Sequence, residues 1–335
     1  METKKTIAGQ FNFCSASTLI KNSMSDRSFR LGTRGSLLAR TQAGTIGQAV
    51  HDATGANIEE VIIRTDGDDV STSLVNPARP GIFVTALRSA LTRGEVDFIV
   101  HSYKDLPSLP EPGITIAAIP AREDPRDVLV SRGNLLLHQL PSGARVGTSS
   151  PRRGARIAFL RPDLTILPMR GNVDTRLRKV TDGEFDAAVL AAAGLNRVGR
   201  SDVIVEYLTL NQLVPAPAQG ALAIECRSDD SDLLHELTKL NDPITQLCTT
   251  AERAVLVGIG ATCATAIGAY AVFENGVLTL TAELSDPLLN EHHRVEKHVN
   301  IADPVDTQSA ERLGLAAAEE IRSTPLGLRL SRRDV

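Results

Sequence analysis

The chain has 335 residues, 42% of them apolar and 23% charged, and a formal net charge of −4. At roughly 150 residues per domain this length allows two or three domains, and the composition excludes wholesale disorder, collagen and a coiled coil. No run approaches the ~18 uncharged apolar residues of a membrane span, and an acidic balance counts against general binding of nucleic acid or anionic membrane.

Residues 1–28 lack periodicity and the uninterrupted apolar core of a secretory signal. They are expected to be a disordered extension, with Met24 an alternative start. Three segments then repeat one pattern, an extended run, a small polar turn and a helix. Phe29–Gly32 leads through Thr33-Arg34-Gly35-Ser36 into a helix whose apolar positions Leu38, Ala43, Ile46, Val50 and Ala53 follow a period near 3.6. Arg145–Gly147 leads through Thr148-Ser149-Ser150 into Pro151–Leu160, with Ser150 as cap and Pro151 in the first turn. Leu164–Pro168 leads through Met169-Arg170-Gly171-Asn172 into Val173–Thr181, capped by Asn172. Ile82–Leu91 is a further helix. Further strands are expected at Ile58–Arg64, Val96–His101, Ile114–Ile119, Asp127–Ser131, Asp186–Leu190 and Ala221–Cys226. This alternation predicts an α/β fold with mainly parallel sheets, whose strand-to-helix turns sit at the edge where ligands bind.

After Asp230 the pattern changes. Helices over Ser231–Leu240 and Pro243–Val257 precede strands at Ile267–Phe273, Val277–Leu284 and Arg294–Ile301, with Asn275-Gly276 as a hairpin turn. A last helix starts at Asp303-Pro304. Two α/β lobes followed by a small C-terminal α+β domain are expected, with no internal repeat in the sequence.

The charge is unevenly spread. From Arg145 to Lys179 nine basic residues face only Asp163 and Asp174. Arg34, Arg152, Arg153 and Arg170 stand at or near predicted helix N-termini, where the macrodipole favours anions. An anion bound by backbone N–H groups, hydroxyls and guanidinium together would complete such a site. Arg34, Arg152, Arg153, Arg170 and Arg176 are read as ligand contacts, and Arg156, Arg161, Arg178 and Lys179 as charges on solvated helix faces. A polyanion between lobes fits better than nucleic acid, because stacking platforms need aromatics and the chain has eight Phe, three Tyr and no Trp.

Lys104-Asp105 ends a strand in His101-Ser102-Tyr103-Lys104-Asp105, either as a structural pair or as a carboxylate that steadies positive charge or moves a proton. Cys263 lies among small residues in Gly260-Ala261-Thr262-Cys263-Ala264, either packed or open to covalent chemistry. Cys226 and Cys248 read as core. The four cysteines, Cys14 included, show no CxxC or Cys/His ligand spacing. Neither a disulfide framework nor a metal site is expected, and reducing cytosol is the expected compartment. No triad, P-loop or GxGxxG is present.

Taken together, LGTRGSLLARTQ (31–42), VDFIVHSYKDLP (96–107), REDPRD (122–127), VGTSSPRR (146–153), PMRGNVDTRL (168–177), AAAGLNRVG (191–199), PAPAQGALAIECR (215–227) and AERA (251–254) resemble porphobilinogen deaminase, also called hydroxymethylbilane synthase. The resemblance implies two lobes like periplasmic binding proteins and a third domain. Domain 1 would be 29–119 with 221–240, domain 2 126–214 and domain 3 241–335, with hinges at 120–125 and 215–220. It implies a transferase that joins four porphobilinogen molecules head to tail with loss of ammonia, giving hydroxymethylbilane for tetrapyrrole and haem synthesis. The primer would be a dipyrromethane cofactor held as a thioether by Cys263. Asp105 would be the catalytic carboxylate. Arg34, Ser36, Lys104, Thr148, Ser149, Ser150, Arg152, Arg153, Arg170, Arg176 and Arg197 would hold the acetate and propionate groups, and Arg122 and Gln219 would lie at the hinges. A cytoplasmic monomer is expected, with porphobilinogen as its partner and neither nucleic acid nor membrane. Two departures from the family pattern stand out. Ala261, Thr262, Ala264 and Ala266 replace the glycines, polar residue and proline usual around the cysteine, adding Cβ atoms that restrict positive φ. The loop at Ala78-Arg79-Pro80-Gly81 has no Lys, with Arg79 as a stand-in for charge. Rival readings are a polycarboxylate solute-binding protein, an inactive relative that retains only anion binding, and a nucleic-acid binder using the Arg-rich lobe.

Overall fold

The computed structural model describes residues 27–63, 82–262, 264–286 and 290–331. Cys14, Arg79, Cys263 and the expected extension up to residue 26 lie outside the described residues. The chain begins with β1 (Ser28–Thr33), and Ser36 caps α1 (Leu37–Thr54), its Oγ accepting from the Ala39 N–H at 3.3 Å. Gln42, Ala43, Ile46, Gly47 and Val50 form the buried stripe of α1 at helical spacing. Next come β2 (Asn57–Ile62), α2 (Ile82–Thr92), β3 (Phe98–Ser102) and β4 (Ile114–Ala118). A crossing leads to β5 (Asp127–Ser131), β6 (Arg145–Gly147), α3 (Pro151–Leu160), β7 (Thr165–Leu167), α4 (Val173–Thr181), β8 (Ala187–Ala191), α5 (Ala192–Arg197) and β9 (Glu206–Tyr207). Ser150 and Asn172 cap α3 and α4 as their sequences predict. A second crossing returns the chain to β10 (Leu222–Arg227) and α6 (Ser231–Thr238).

The two five-stranded sheets have orders β2-β1-β3-β10-β4 and β7-β6-β8-β5-β9. The outer three strands of each are parallel. The fourth in spatial order, β10 or β5, is antiparallel to both its neighbours. Four strands of each sheet therefore run one way, and the strand that runs against them is the one the chain enters directly from a crossing. The sequence shows no repeat, yet strand for strand the sheets are the same. Apolar runs such as Val128–Val130 and Ala187–Leu190 are buried on both faces, as expected of strands covered by helices on each side.

The C-terminal unit has α7 (Pro243–Ile259), β11 (Ile267–Glu274), β12 (Val277–Asp286), β13 (Glu291–Asn300), α8 (Thr307–Ser323) and α9 (Pro325–Ser331). Its antiparallel sheet, in the order β11-β12-β13, packs Ala269, Leu280 and Val295 against Leu247, Ala251, Val255, Ala317 and Ile321 of the helices. Asn275 and Gly276 both take positive φ, 51° and 78°, between the paired Glu274 and Val277, the two-residue turn that Asn-Gly predicts. The last long helix starts later than the sequence reading has it. Asp303 Oδ1 accepts from the Val305 N–H in a turn, and Asp306 is the cap, accepting from Ser309. The short elements α5, β9 and α9 carry too few residues to show a period in the sequence.

Candidate functional site

β3 ends at Ser102, where the Gln42 side chain of α1 donates to the Ser102 hydroxyl at 3.0 Å. The chain then makes one short helical turn over Tyr103–Asp105, with the Tyr103 N–H donating to Ala221 O at 3.0 Å. This turn holds Asp105 exposed and Lys104 half-buried. Lys104 Nζ donates to Gln219 Oε1 at 3.2 Å. Burial first, and then the neighbouring Arg153 charge, push the Lys104 ammonium down to about 8, against the pull of Asp105 and Asp127.

Gln219, on the second crossing, joins the two lobes. Its Oε1 also accepts from Arg153 Nη2 at 3.3 Å, and its Nε2 donates to Pro125 O at 2.7 Å and to Asp127 Oδ1 at 3.1 Å. Asp127 is fully buried at the start of β5 between two guanidinium groups. Arg152 donates to both of its oxygens, at 2.7 and 3.2 Å, and to Val214 O at 2.7 Å. Arg153 Nε donates to Asp127 Oδ1 at 2.8 Å. Burial alone would raise the Asp127 carboxyl, but the Arg152 and Arg153 charges and the hydrogen bonds hold it well below the carboxylate range.

Arg176 is half-buried, and its Nε donates to Gly171 O at 2.8 Å. Burial and then the Arg153 charge push it down, while Asp105 pulls it up. The Asp105 carboxylate acts in the same sense on Lys104 and Arg153. Arg197, in α5, donates to Gly220 O at 2.6 Å and is also pushed down by burial. Lys104, Arg152, Arg153 and Arg176 thus share two carboxylates, Asp105 and Asp127. Positive charge is in excess in a region already drawn away from water.

The remaining predicted residues fall around this cluster. Thr148, Ser149, Ser150 and Arg170 line a groove of about 500 Å³ along α3, together with small and apolar residues such as Gly154 and Leu167. The Ser149 hydroxyl donates to Met169 O at 2.9 Å, and Thr148 Oγ1 accepts from the Ser150 N–H at 3.1 Å. Arg34 and Ser36 stand at the start of α1, where Leu38 approaches Gly194 of α5, which in turn approaches Val173 of α4. The strand-to-helix turns of the two lobes therefore face each other.

Arg122, on the first crossing, is tied to α7. Its guanidinium donates to both oxygens of the fully buried Glu252, at 2.6 and 3.0 Å, and its Nε donates to Gln219 O at 2.7 Å. Glu252 also accepts from the N–H groups of Ala218 and Ala271, at 2.6 and 2.9 Å. Between these contacts Ala218 holds a φ of 61° and Gly220 a φ of 91°. A Cβ at Gly220 would lie 2.3 Å from Glu123 O, so the position requires glycine.

The solvated-face reading of Arg156 is corrected. Arg156 is buried, donates to the carbonyls of Asn211 and Gln212, and pairs with Glu283 of β12 at 3.1 Å. Arg161 is half-buried and donates to Leu137 O and Leu140 O, whereas Arg178 is exposed. Cys226 and Cys248 are buried, and burial pushes their thiols up to about 11 and about 12. Around the Cys263 position the chain turns on hydroxyls: the Thr262 N–H donates to Thr265 Oγ1 at 2.9 Å and the Ala264 N–H to Thr262 Oγ1 at 3.3 Å. Gly260 takes a positive φ of 68°, and Ala261 and Thr262 after it do not, so their Cβ atoms are accommodated.

Sequence reasoning passed over Asp127, Glu252 and Arg253 as individual residues. Each had a signal. Asp127 precedes the apolar run Val128-Leu129-Val130, and Glu252-Arg253 interrupts the otherwise uncharged stretch Pro243–Ile259, places where a charge is tolerated only with partners. Among the described residues no helix is long and apolar enough to cross a membrane, and no group of His, Cys, Asp or Glu is placed to hold a metal ion.

The family model described as porphobilinogen deaminase, dipyromethane cofactor binding domain, matches residues 29–235, and that of the porphobilinogen deaminase C-terminal domain matches 246–323. A porphobilinogen deaminase of Nocardia farcinica is 53% identical over 242 residues, covering 72% of this chain and 69% of the relative. One of Thermobifida fusca is 44% identical over 301 residues, covering 89% and 94%. Among solved structures, an arginine-specific periplasmic binding protein of Salmonella typhimurium superposes on 65% of this chain and 93% of its own, at 14% identity and a TM-score of 0.37. An ancestral amino acid-binding protein superposes on 65% and 89%, at 15% identity and a TM-score of 0.35. At that distance nothing about ligands follows, and the fold assignment rests on the strand orders.

Proposed function

Because the chain belongs to the porphobilinogen deaminase family, which condenses four porphobilinogen molecules into hydroxymethylbilane on a dipyrromethane primer, we propose that the cluster around Gln219 is its reaction site. The observation that carries this reading is the excess of cations that burial disfavours. Lys104, Arg153, Arg176 and Arg197 are all pushed down in the protein alone, and carboxylates arriving beside them would relieve each. That donor set fits a group bearing an acetate and a propionate on every ring. When bound, the primer supplies those carboxylates and a free α-carbon nucleophile. Arg176, Arg197, Lys104 and Arg153 hold the acidic side chains, with Ser36, Thr148, Ser149, Ser150, Arg34 and Arg170 extending the grip along the chain. Arg152, already committed to Asp127 and Val214, orients Asp127 and through it Arg153. Asp105 keeps its negative charge beside the reacting pyrrole, stabilising positive charge as the aminomethyl nitrogen departs and remaining near the ring N–H groups as a proton is lost. Fixed charges in a partly dry cleft supply the acceleration.

In this reading Cys263 carries the primer, on a loop directly after α7. Residues 29–119 with 221–240, 126–214 and 241–335 are three domains, with the crossings at 120–125 and 215–220 as hinges, a division supported by the sheet to which each strand belongs. The protein acts in the cytoplasm as a monomer, with porphobilinogen as its partner. The buried free thiols of Cys226 and Cys248 suit that compartment.

Intact mass under denaturing conditions tests this. Protein made with porphobilinogen available is expected to carry an adduct of two pyrrole units that Cys263→Ala lacks, and Asp105→Ala is expected to lose nearly all ammonia release. An unmodified mass, or near-normal turnover in Asp105→Ala, contradicts the reading.

A further inference from the structure

Asp105 is exposed, so its place depends on the backbone of the turn that carries it. That backbone is gripped from behind by a residue of the C-terminal unit. Arg253, buried in α7, projects into the first lobe, where its Nη1 donates to Tyr103 O and to Leu106 O, each at 3.2 Å, and its Nη2 donates to Pro107 O. The guanidinium also lies over the ring of buried Tyr103, 4.4 Å from its centroid. One side chain thus spans the residues immediately before and after Lys104-Asp105. A guanidinium is suited to this, since its planar fork presents several donors in fixed directions and loses little freedom for each bond made. Tyr103 O also accepts the turn's own bond from the Leu106 N–H at 3.2 Å, so Arg253 Nη1 adds a second donor there and takes up the Leu106 carbonyl beyond the turn. Its charge is met by carbonyl dipoles and a π face, an arrangement in which each contact fixes backbone geometry.

The other hydrogen-bonded anchors of this turn are the Gln42–Ser102 contact and the Tyr103 N–H to Ala221 O bond within the first lobe, and the Lys104–Gln219 bond from the second crossing. After Asp105 the Leu106 side chain packs beside Ile119, Ala218 and Ala221, and Arg253 holds the Leu106 and Pro107 carbonyls. Its neighbour Glu252 grips the Arg122 and Ala218 backbone and side-chain donors on the crossings. One helical step of α7 therefore fastens both the hinge and the turn.

We propose that Arg253 is a positioning residue for the reaction, which sets the location of the Asp105 carboxylate relative to the Arg153 and Arg176 cations by clamping the Tyr103–Pro107 backbone. The proposal rests on the role given to Asp105 above. Misplacing a reacting group by about 1 Å costs on the order of 100-fold in rate. Arg253→Met removes every donor at similar length, and Arg253→Lys keeps the charge but not the fork.

The test uses holoenzyme, with rates normalised to the fraction carrying the two-pyrrole adduct by intact mass. Arg253→Met is expected to lower kcat for ammonia release by about 10–100-fold while KM stays within about twofold, because the buried Arg253 guanidinium is committed to backbone carbonyls and the Tyr103 ring. Arg253→Lys should fall between it and the parent, and carries the same comparison if the Met variant does not fold. Leu247→Ala, in the core on the same helix, serves as the stability control: it should lower the unfolding midpoint while leaving kcat of folded protein unchanged. A kcat within about threefold of the parent in the Arg253 variants, or an equal kcat loss in Leu247→Ala, overturns the proposal. Asp105→Asn run in parallel separates the two ideas. If it is nearly inactive while the Arg253 variants are normal, only the clamp fails; if it is itself normal, the role of Asp105 fails and the clamp with it.

Discussion

Glu252→Gln is the most informative single change outside the cleft. The Glu252 carboxylate is fully buried and receives four donors in two pairs, Arg122 Nη1 with the Ala271 N–H on one oxygen and Arg122 Nη2 with the Ala218 N–H on the other. An amide has one oxygen, so whichever way the substituted side chain turns, its NH2 confronts one pair of donors. The substitution also leaves the Arg122 charge buried with no anion in contact. Removing one partner of a buried ion pair costs about 3–5 kcal/mol. At about 2–4 °C per kcal/mol for a folding unit of this size, the unfolding midpoint should drop by roughly 6–20 °C. Circular dichroism on parent and variant, both loaded with the primer, measures this. A drop of less than about 3 °C would mean that water or a rearranged crossing replaces the carboxylate, and would refute the fixed-knot picture of the hinge.

Two further outcomes follow from the same geometry. In Cys263→Ala protein, a tetracarboxylate probe should bind more weakly as pH rises above about 8: free Lys104 then loses its proton, and binding must take one up, whereas below that pH the charge is already present. Titration calorimetry across this range should show the slope, and Lys104→Met should flatten it; a slope unchanged in Lys104→Met excludes Lys104 as its source. Gly220→Ala should cost about 2–5 kcal/mol, from a φ of 91° and a Cβ 2.3 Å from Glu123 O, and a denaturation midpoint equal to the parent's would show that the crossing is not tightly held.

What the sequence made legible was local. Ser36, Ser150 and Asn172 cap the helices they precede, because a cap depends on a hydroxyl or amide three residues from the N–H it receives. The Asn275-Gly276 turn and the position of Lys104-Asp105 at a strand end are legible for the same reason. The fate of each arginine was not. Arg152, Arg153 and Arg156 follow one another within a single helix, yet two close on Asp127 and the third on Glu283, partners 25 to 127 residues away. Helical spacing says which face a side chain takes and nothing about what lies opposite it. The reversed strands were hidden as well, since the apolar run in β5 or β10 reads alike in either direction. The late start of α8 reflects two aspartates three residues apart, Asp303 and Asp306, that each offer a cap, and tertiary packing chooses between them.

The position of β10 has a consequence for synthesis. The second sheet needs only residues 127–207, all contiguous, and can close as soon as Tyr207 has left the ribosome. The first sheet waits for β10, which lies between β3 and β4, and until then β4 has no neighbour at all in its sheet. A nascent chain therefore carries an unpaired edge at β3 and a solitary strand for more than a hundred residues of translation, a window in which pairing with other chains competes with folding. The half of the molecule made first is the half completed later.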